Sequence, residues 1–307
     1  MKTAVVTGAS GFVGSYLVKE LVENKYRVFA VIHPGTQNLG RLDAIDGIDI
    51  IECSLQDMRK LPKRISSFAD YFFHMAWSGV SGKNQSDYEI QIQNIRAALD
   101  AMDAAKQLGC ARFIGAGSLH EMECKKELEQ CKEVKNQGNS YKIAKLAAHY
   151  YCKLKASASG IDFLWPRLTN AYGVGEKSPR LVNSVIQKLL LGEEPALTRA
   201  DQLYDFIYVS DVARAFRLIA EKGISYQNYI IGSGNVRPLK EYLEELRDTV
   251  APGASMGFGK YPYTGIYLDR GDLCNEAIFC DTGFRAEVSF QTGIRMTTEW
   301  MQKPDNQ

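Results

Sequence analysis

The sequence predicts a doubly wound parallel α/β sheet over residues 1–168, followed by a smaller mixed α/β domain over residues 169–307, some segments of which return to the core. Three observations carry that prediction. Short apolar runs alternate with helical patterns along the first half of the chain, the mark of a parallel sheet covered on both faces. A glycine-spaced turn joins the first run to the first helical pattern. Past Arg167 the alternation breaks down into Gly- and Pro-rich loops, short strands and scattered helices.

Lys2 to Thr7 reads as a strand around Ala4-Val5-Val6, and it runs into Thr7-Gly8-Ala9-Ser10-Gly11-Phe12-Val13-Gly14. Gly8 permits a sharp turn, Gly11 lets backbone N–H groups approach a pyrophosphate, and Gly14 lets the helix Phe12 to Asn24 pack on the strand. The helix start offers such an anion free N–H groups and about half a positive charge. Strands at Arg27 to His33 and Asp49 to Cys53 come next, then the stretch Asp57 to Ser66. The strand Asp70 to Ala76, the long helix Gln85 to Leu108, the strand Arg112 to Ala116, a helix Ser140 to Ala158 and the strand Asp162 to Arg167 complete the series. Right-handed crossovers make such a sheet doubly wound, and ligands then bind beyond the carboxyl ends of its strands. In the second half, helices are expected at Ser210 to Lys222, Leu239 to Val250 and Ser289 to Trp300, among loops at Gly173 to Pro179 and Pro252 to Thr264.

At 307 residues the chain can bury a large core. Lys+Arg 37 against Asp+Glu 36 leaves a formal net charge of +1, which gives no electrostatic footprint for nucleic acid or an anionic membrane. No apolar stretch reaches the length of a membrane span, and the first residues pass straight into a strand, so the expected location is cytoplasmic. Seven cysteines without a C-x-x-C pair suit a reducing compartment, and four histidines, none at ligand spacing with a cysteine, argue against a metal site.

The chemistry-bearing segment is Tyr141-Lys142-Ile143-Ala144-Lys145, preceded by the polar stretch 136–140 that suits a helix start. A Tyr and a Lys four apart share a helix face. An ammonium there favours the phenolate and draws the tyrosine down from its usual pKa, so that it exchanges a proton with a substrate hydroxyl nearer neutral pH. The same spacing recurs at Tyr151 and Lys155, but ten residues on it points about eighty degrees away. Tyr141 lies at the helix start, beside the strand ends, whereas Tyr150 and Tyr151 read as packing residues. The strand Arg112 to Ala116 runs out into Gly117-Ser118, which puts a hydroxyl where a substrate oxygen needs orienting.

Gly8 to Gly14, Ser118, Tyr141 with Lys145, the run Arg167-Leu168-Thr169-Asn170-Ala171-Tyr172-Gly173 and the run Asp205-Phe206-Ile207-Tyr208-Val209-Ser210-Asp211-Val212-Ala213 together resemble the extended short-chain dehydrogenase/reductases. Within them the chain resembles the NAD(P)-dependent nucleotide-sugar epimerase/dehydratase group, over Thr3 to Trp300. The resemblance implies a Rossmann dinucleotide-binding domain and a C-terminal substrate domain, hydride exchange with a sugar carbon, and a homodimer formed through the helices near Gln85 to Leu108 and Ser140 to Ala158. It makes Tyr141 the acid/base, Lys145 its pKa-lowering partner and nicotinamide-ribose ligand, and Ser118 the group on the reacting oxygen. Cofactor contacts are implied for Gly8, Ser10, Gly11, Phe12, Val13, Gly14, His33, Arg41, Ser54, Leu55, Met75, Ala76, Asn94 and Pro166, with Tyr141 and Lys145. Substrate contacts are implied for Trp77, Asn170, Arg180, Tyr204 and Arg270. His74 ends its strand either as a satisfied histidine or against the cofactor. Asp281-Thr282-Gly283-Phe284 resembles the turn before the family's last helix.

Departures from the family pattern narrow the expectation. Sugar dehydratases carry an acidic pair directly after the Ser/Thr, but Ser118 is followed by Leu119-His120, which argues against a 4,6-dehydratase. Glu121, one place later, and His120 are candidates for a second acid/base; the alternative for Glu121 is a surface glutamate like Glu123, Glu127 and Glu129. Tyr204-Asp205-Phe206 stands where relatives often have Arg-Asp-Phe, so Arg180, Arg199 or Arg270 must supply charge to a diphosphate. The second strand ends Val31-Ile32-His33-Pro34 without a carboxylate for a ribose, and His33 and Arg41 suit a 2′-phosphate. NADP(H) is therefore favoured, with NAD(H) open through Asp43 or Asp46. The expected activity is that of a 4-keto reductase or epimerase of a nucleotide sugar, with hydride transfer at C4. The alternatives are a reductase of a small non-nucleotide carbonyl compound and a catalytically silent dinucleotide-binding regulator.

Overall fold

The computed structural model describes residues 1–130 and 139–303. Strand β1 (Thr3–Thr7) leads through the glycine turn into helix α1 (Phe12–Glu23). β2 (Arg27–Ile32), β3 (Ile48–Glu52), β4 (Tyr71–His74), α2 (Tyr88–Gln107), β5 (Arg112–Gly115), β6 (Gly117–Ser118), α3 (His120–Glu129), α4 (Asn139–Ser159) and β7 (Asp162–Leu164) follow. The stretch expected around Asp57 to Ser66 is a 3-10 helix, Leu55–Lys63. The polar run proposed to start α4 lies largely outside the described residues.

One parallel sheet holds six of these strands in the order β3-β2-β1-β4-β5-β7, with Val5 opposite Phe29 on one side and Phe72 on the other. The strands are apolar on both faces because both are covered. Ala4 and Val6 join Leu17, Val18 and Leu21 of α1 in one core layer. Val5 and Phe72 join Ala98, Ala101 and Met102 of α2 and Ala148 and Cys152 of α4 in the other.

Two strands expected to be continuous are broken. Gly115 and Gly117 bracket a jog at Ala116, and Trp165-Pro166 separates β7 from β8 (Arg167–Leu168). Pro166 has no N–H for the ladder, and a Cβ at Gly115 or Gly117 would collide with the Trp165 side chain. Beyond the jog, β6 leaves β5 and pairs in parallel with β8.

The rest comprises β9 (Asn170–Tyr172), α5 (Leu181–Leu190), β10 (Leu203–Tyr204), β11 (Phe206–Tyr208), α6 (Val209–Lys222), β12 (Ile230–Ile231), β13 (Arg237–Pro238), α7 (Leu239–Val250), α8 (Glu276–Thr282) and α9 (Phe290–Met301). β12 pairs with β8, and α6 packs on α1, so chain from the second half covers the first. α5, α7 and α9 enclose a separate apolar cluster around Ile186, Leu243, Phe290 and Ile294. Gly283 takes a left-handed φ of 76° to end α8, ahead of the buried Phe284. No helix among the described residues is long and apolar enough to cross a membrane.

Candidate active site

The glycine turn is shaped by close approach. Gly8 has φ 67°, and a Cβ there would stand 2.8 Å from the Ala76 backbone at the end of β4. A Cβ at Gly14 would run into the Gly8 carbonyl oxygen, so α1 rests directly on the turn. The Gly11 N–H closes the turn onto that carbonyl at 2.9 Å.

Along the carboxyl ends of β1, β2 and β4 runs a groove of about 210 Å³, lined among others by Gly8, Ser10, Gly11, His33, Leu55, Met75 and Ala76. Among the described residues its lining contains no carboxylate, and Asp43 and Asp46 are exposed elsewhere. The groove, the bare glycines and the helix start fit an extended dinucleotide with its pyrophosphate at α1.

Several residues expected on the cofactor lie off the groove. Arg41 donates to the Ser10 carbonyl at 3.2 Å and the Gly175 carbonyl at 2.5 Å, bridging two loops. Ser54 caps the 3-10 helix, accepting the Asp57 N–H at 3.2 Å. Asn94 is buried and grips both backbone groups of Ser78, at 2.9 and 2.8 Å. Pro166 gives its carbonyl to Gly117 N–H at 2.9 Å. Each of these four side chains or rings therefore supports the walls; none lines the groove. His74 is buried on the Thr7 hydroxyl at 3.0 Å, and burial, helped by the charge of Lys145, drives it down to about 3, so its ring is neutral.

A second cleft, of about 400 Å³, adjoins the groove and shares Met75 and Trp77 with it. Ser118, His120, Tyr141 and Lys145 form one wall; Asn170, Arg180 and Tyr204 also line it. Val13 lines it too, while Phe12 packs edge-on against Tyr16. Ser118 reaches this place because β6 ends there, and Tyr141 and Lys145 because the first turns of α4 pass over it.

The Lys145 ammonium donates to the Ala116 carbonyl at 2.8 Å and lies 3.7 Å from the centre of the Trp77 ring. Burial brings it down to about 7, while the Glu121 charge works upward. Tyr141 is raised by burial, against the hydrogen bond with Ser118 and the charge of Arg180. The sequence spacing predicts a phenol lowered by Lys145; here that ammonium is committed to a carbonyl and an indole face, and Arg180 supplies the opposing charge.

Glu121 is a correction on both expectations. It is 0% exposed and does not line the cleft. Its Oε1 accepts from Ser118 N–H at 2.9 Å and Trp165 Nε1 at 3.0 Å, and its Oε2 from His149 Nδ1 at 2.8 Å and Arg167 Nε at 3.1 Å. Burial acts upward on this carboxyl, but His149, Arg167 and the Ser118 N–H outweigh it and hold it below the usual range. An ionised carboxylate with four donors is not a proton shuttle. His120, in contrast, lines the cleft, edge-on to the Tyr141 ring with centres 5.9 Å apart, its Nδ1 3.0 Å from Glu123. Burial acts upward on Glu123 as well, yet His120 and Lys142 bring it down to about 2.

Of the three candidate arginines, Arg180 lines the cleft, with Glu176 3.8 Å away. Arg199 pairs with Asp201 at 3.2 Å and Arg270 donates to the Val236 carbonyl at 2.9 Å, both exposed and off the cleft. Asp205 is buried, accepting the N–H groups of Ser233 and Gly234 at 3.1 Å each, and so fixes the loop beside Asn170. Sequence reasoning missed Glu176 and Asn183, which line the cleft and are buried polar residues without a motif.

Residues 4–232 match the NAD dependent epimerase/dehydratase family. The chain is 28% identical to CDP-abequose synthase of Salmonella typhimurium, over 83% of each chain. It is 26% identical to dTDP-6-deoxy-L-talose 4-dehydrogenase (NAD(+)) of Aggregatibacter actinomycetemcomitans, over 78% of this chain and 88% of that one. The fold matches that of the Thermotoga maritima UDP-glucose 4-epimerase with UDP-glucose, at a TM-score of 0.77 and 22% identity, over 98% and 99% of the two chains.

Proposed function

The chain belongs to the NAD dependent epimerase/dehydratase family, and from that premise we propose that it is an NAD(P)-dependent oxidoreductase or epimerase of a nucleotide-activated sugar, reacting at C4. The observation that carries this is the meeting of the two cavities: Ser118, Tyr141 and Lys145 stand at the wall where the dinucleotide groove opens into the cleft through Met75 and Trp77. A nicotinamide bound there supplies or accepts a hydride. Tyr141 then gives the sugar oxygen its proton or takes it away, Ser118 hydrogen-bonds the same oxygen, and Lys145 holds the ribose side of the site. Asn170, Arg180 and Tyr204 face the nucleotide sugar. His120, oriented by Glu123, is the candidate for a second proton carrier. With Glu121 and Glu123 both held in ion pairs, no carboxylate next to Ser118 among the described residues is free to eliminate water, which supports reduction or epimerisation over 4,6-dehydration.

The carboxylate-free groove with His33 on its wall supports NADP(H) over NAD(H), and an exchanging cofactor goes with reduction. The test is to denature the purified protein, identify any released dinucleotide by mass spectrometry, and then titrate NADPH and NADH. The expected result is an empty protein that binds NADPH more tightly and turns over 4-keto sugars linked to CDP or dTDP. NAD(H) recovered near one per chain would point to an epimerase, for which UDP-glucose is the first substrate to try. No calorimetric signal from any of these nucleotides would overturn the nucleotide-sugar reading. Tyr141→Phe is expected to lower turnover by roughly 10²–10⁴-fold, the worth of a positioned acid/base, with NADPH binding nearly unchanged.

A further inference from the structure

Glu121 takes no part in the steps above, yet it lies at the centre of a buried ion cluster beside Ser118. The reason begins with the local ladder. Gly117 N–H pairs with the Pro166 carbonyl and Leu119 N–H with the Leu168 carbonyl, both at 2.9 Å. Alternate N–H groups of a strand point to opposite sides, so the Ser118 N–H faces away from β8, where the main sheet has already diverged. Glu121 Oε1 accepts it at 2.9 Å. The carboxylate is in turn fixed by three donors from two segments distant in sequence: Trp165 and Arg167, just before and on β8, and His149 on α4.

The structure assigns Glu121 the role of a positioning residue: clamped by Trp165, His149 and Arg167, its carboxylate holds the backbone of Ser118 and thereby its hydroxyl on the cleft wall it shares with Tyr141. This rests on the reading of Ser118, Tyr141 and Lys145 as the reacting groups. The same charge reaches the pair on α4. After burial, which dominates at both residues, Glu121 works upward on Tyr141 and on Lys145. The charged and titratable groups around it are Cys124 and Lys125 on its own helix, His149, Tyr141 and Lys145 on α4, and Arg167 on β8. One buried carboxylate thus holds the serine in place and, against the larger effect of burial, works upward on the titration of the lysine.

Two substitutions separate place from charge. Glu121→Gln keeps the length and removes the charge; Glu121→Asp keeps the charge and shortens the reach. Both are expected to lower kcat by about 10²-fold, the cost of misplacing a reacting group by an ångström or so, while KM and NADPH affinity stay near wild type. In Glu121→Gln alone, the pH limb of kcat moves to lower pH. The Lys145 13Cε resonance, followed by NMR in [13C]lysine-labelled protein, also titrates at lower pH. Ser118→Ala is expected to mask the kcat loss, so that the double variant with Glu121→Asp is no slower than Ser118→Ala by itself. Wild-type kcat in either variant, an unmoved Lys145 titration in Glu121→Gln, or losses that add in full to those of Ser118→Ala would overturn the assignment. Should Glu121→Gln fail to fold, the Asp variant and its double decide. Absence of turnover by the wild-type protein defeats the functional reading, and the Lys145 titration, which needs no substrate, then decides the role of Glu121.

Discussion

Lys145 shows how a residue can be recognised in sequence while its working partners are not. Its four-residue spacing from Tyr141 is local and survives in the helix. The Ala116 carbonyl and the Trp77 indole that hold the ammonium come from other strand ends, and no spacing rule connects them to position 145. Burying an ammonium costs free energy unless a dipole and a π-face replace water, and both do so here. Glu121 repeats the point more strongly, since its donors lie at 118, 149, 165 and 167. Arginines are subject to the same limit. Arg180, Arg199 and Arg270 were equivalent candidates by sequence, and only Arg180 lines the cleft. Arg180→Ala is therefore expected to raise KM for a nucleotide sugar by at least about tenfold, in the range of a lost charge-assisted hydrogen bond, with NADPH affinity intact. Arg199→Ala and Arg270→Ala should leave KM where it was; steady-state kinetics on the three variants would decide.

Elements with a strong period or a punctuating glycine were legible. β1, the turn and α1 appear within a residue of their expected bounds, because Gly8 and Gly14 each answer to a steric contact that any side chain would break. Gly14→Ala is expected to push α1 off the turn, lowering stability by about 1–3 kcal/mol as overpacking does and weakening NADPH binding along with it. Urea unfolding and a fluorescence titration would show both; a variant that binds NADPH normally would mean the helix start does not hold the pyrophosphate. α3 went unread because it is mostly charged and lacks a capping side chain at its start. What stabilises it is tertiary: Glu121 and Glu123 turned into buried ion pairs and Lys126 paired with Asp269 at 2.7 Å. The break of the two central strands at Ala116 and Trp165-Pro166 also escaped, since a proline can end a strand or merely interrupt it.

For the whole molecule, the helices α2 and α4 pack together over the sheet and leave an apolar outer face. Tyr88 and Ile92 on α2, and Ile143, Tyr150 and Leu154 on α4, are exposed. Tyr150 and Tyr151, expected to be packing residues, are 63% and 55% exposed, because α4 turns its Ala144, Ala148 and Cys152 to the sheet instead. Ile143, Tyr150 and Leu154 recur at helical spacing along one stripe, a contiguous apolar surface that water does not favour. We propose that a second copy of the chain covers it. Sedimentation equilibrium is expected to give twice the chain mass, falling to the monomer in Ile143→Asp/Leu154→Asp; a wild-type monomer at micromolar concentration would refute the dimer.

By itself the sequence determined the alternation of strands and helices, the glycine turn, the Ser, Tyr and Lys that meet at the cleft, and the family. These are properties of short segments, in which periodicity, glycine sterics and i to i+4 spacing act within a few residues. Tertiary structure alone decided which charges are free and which are spent. It buried Glu121 on Arg167 and His149, tied Arg41 to two carbonyls and chose Arg180 over its rivals. The physical reason is that a charge is worth what its surroundings make it, and those surroundings are assembled from residues far apart in the chain.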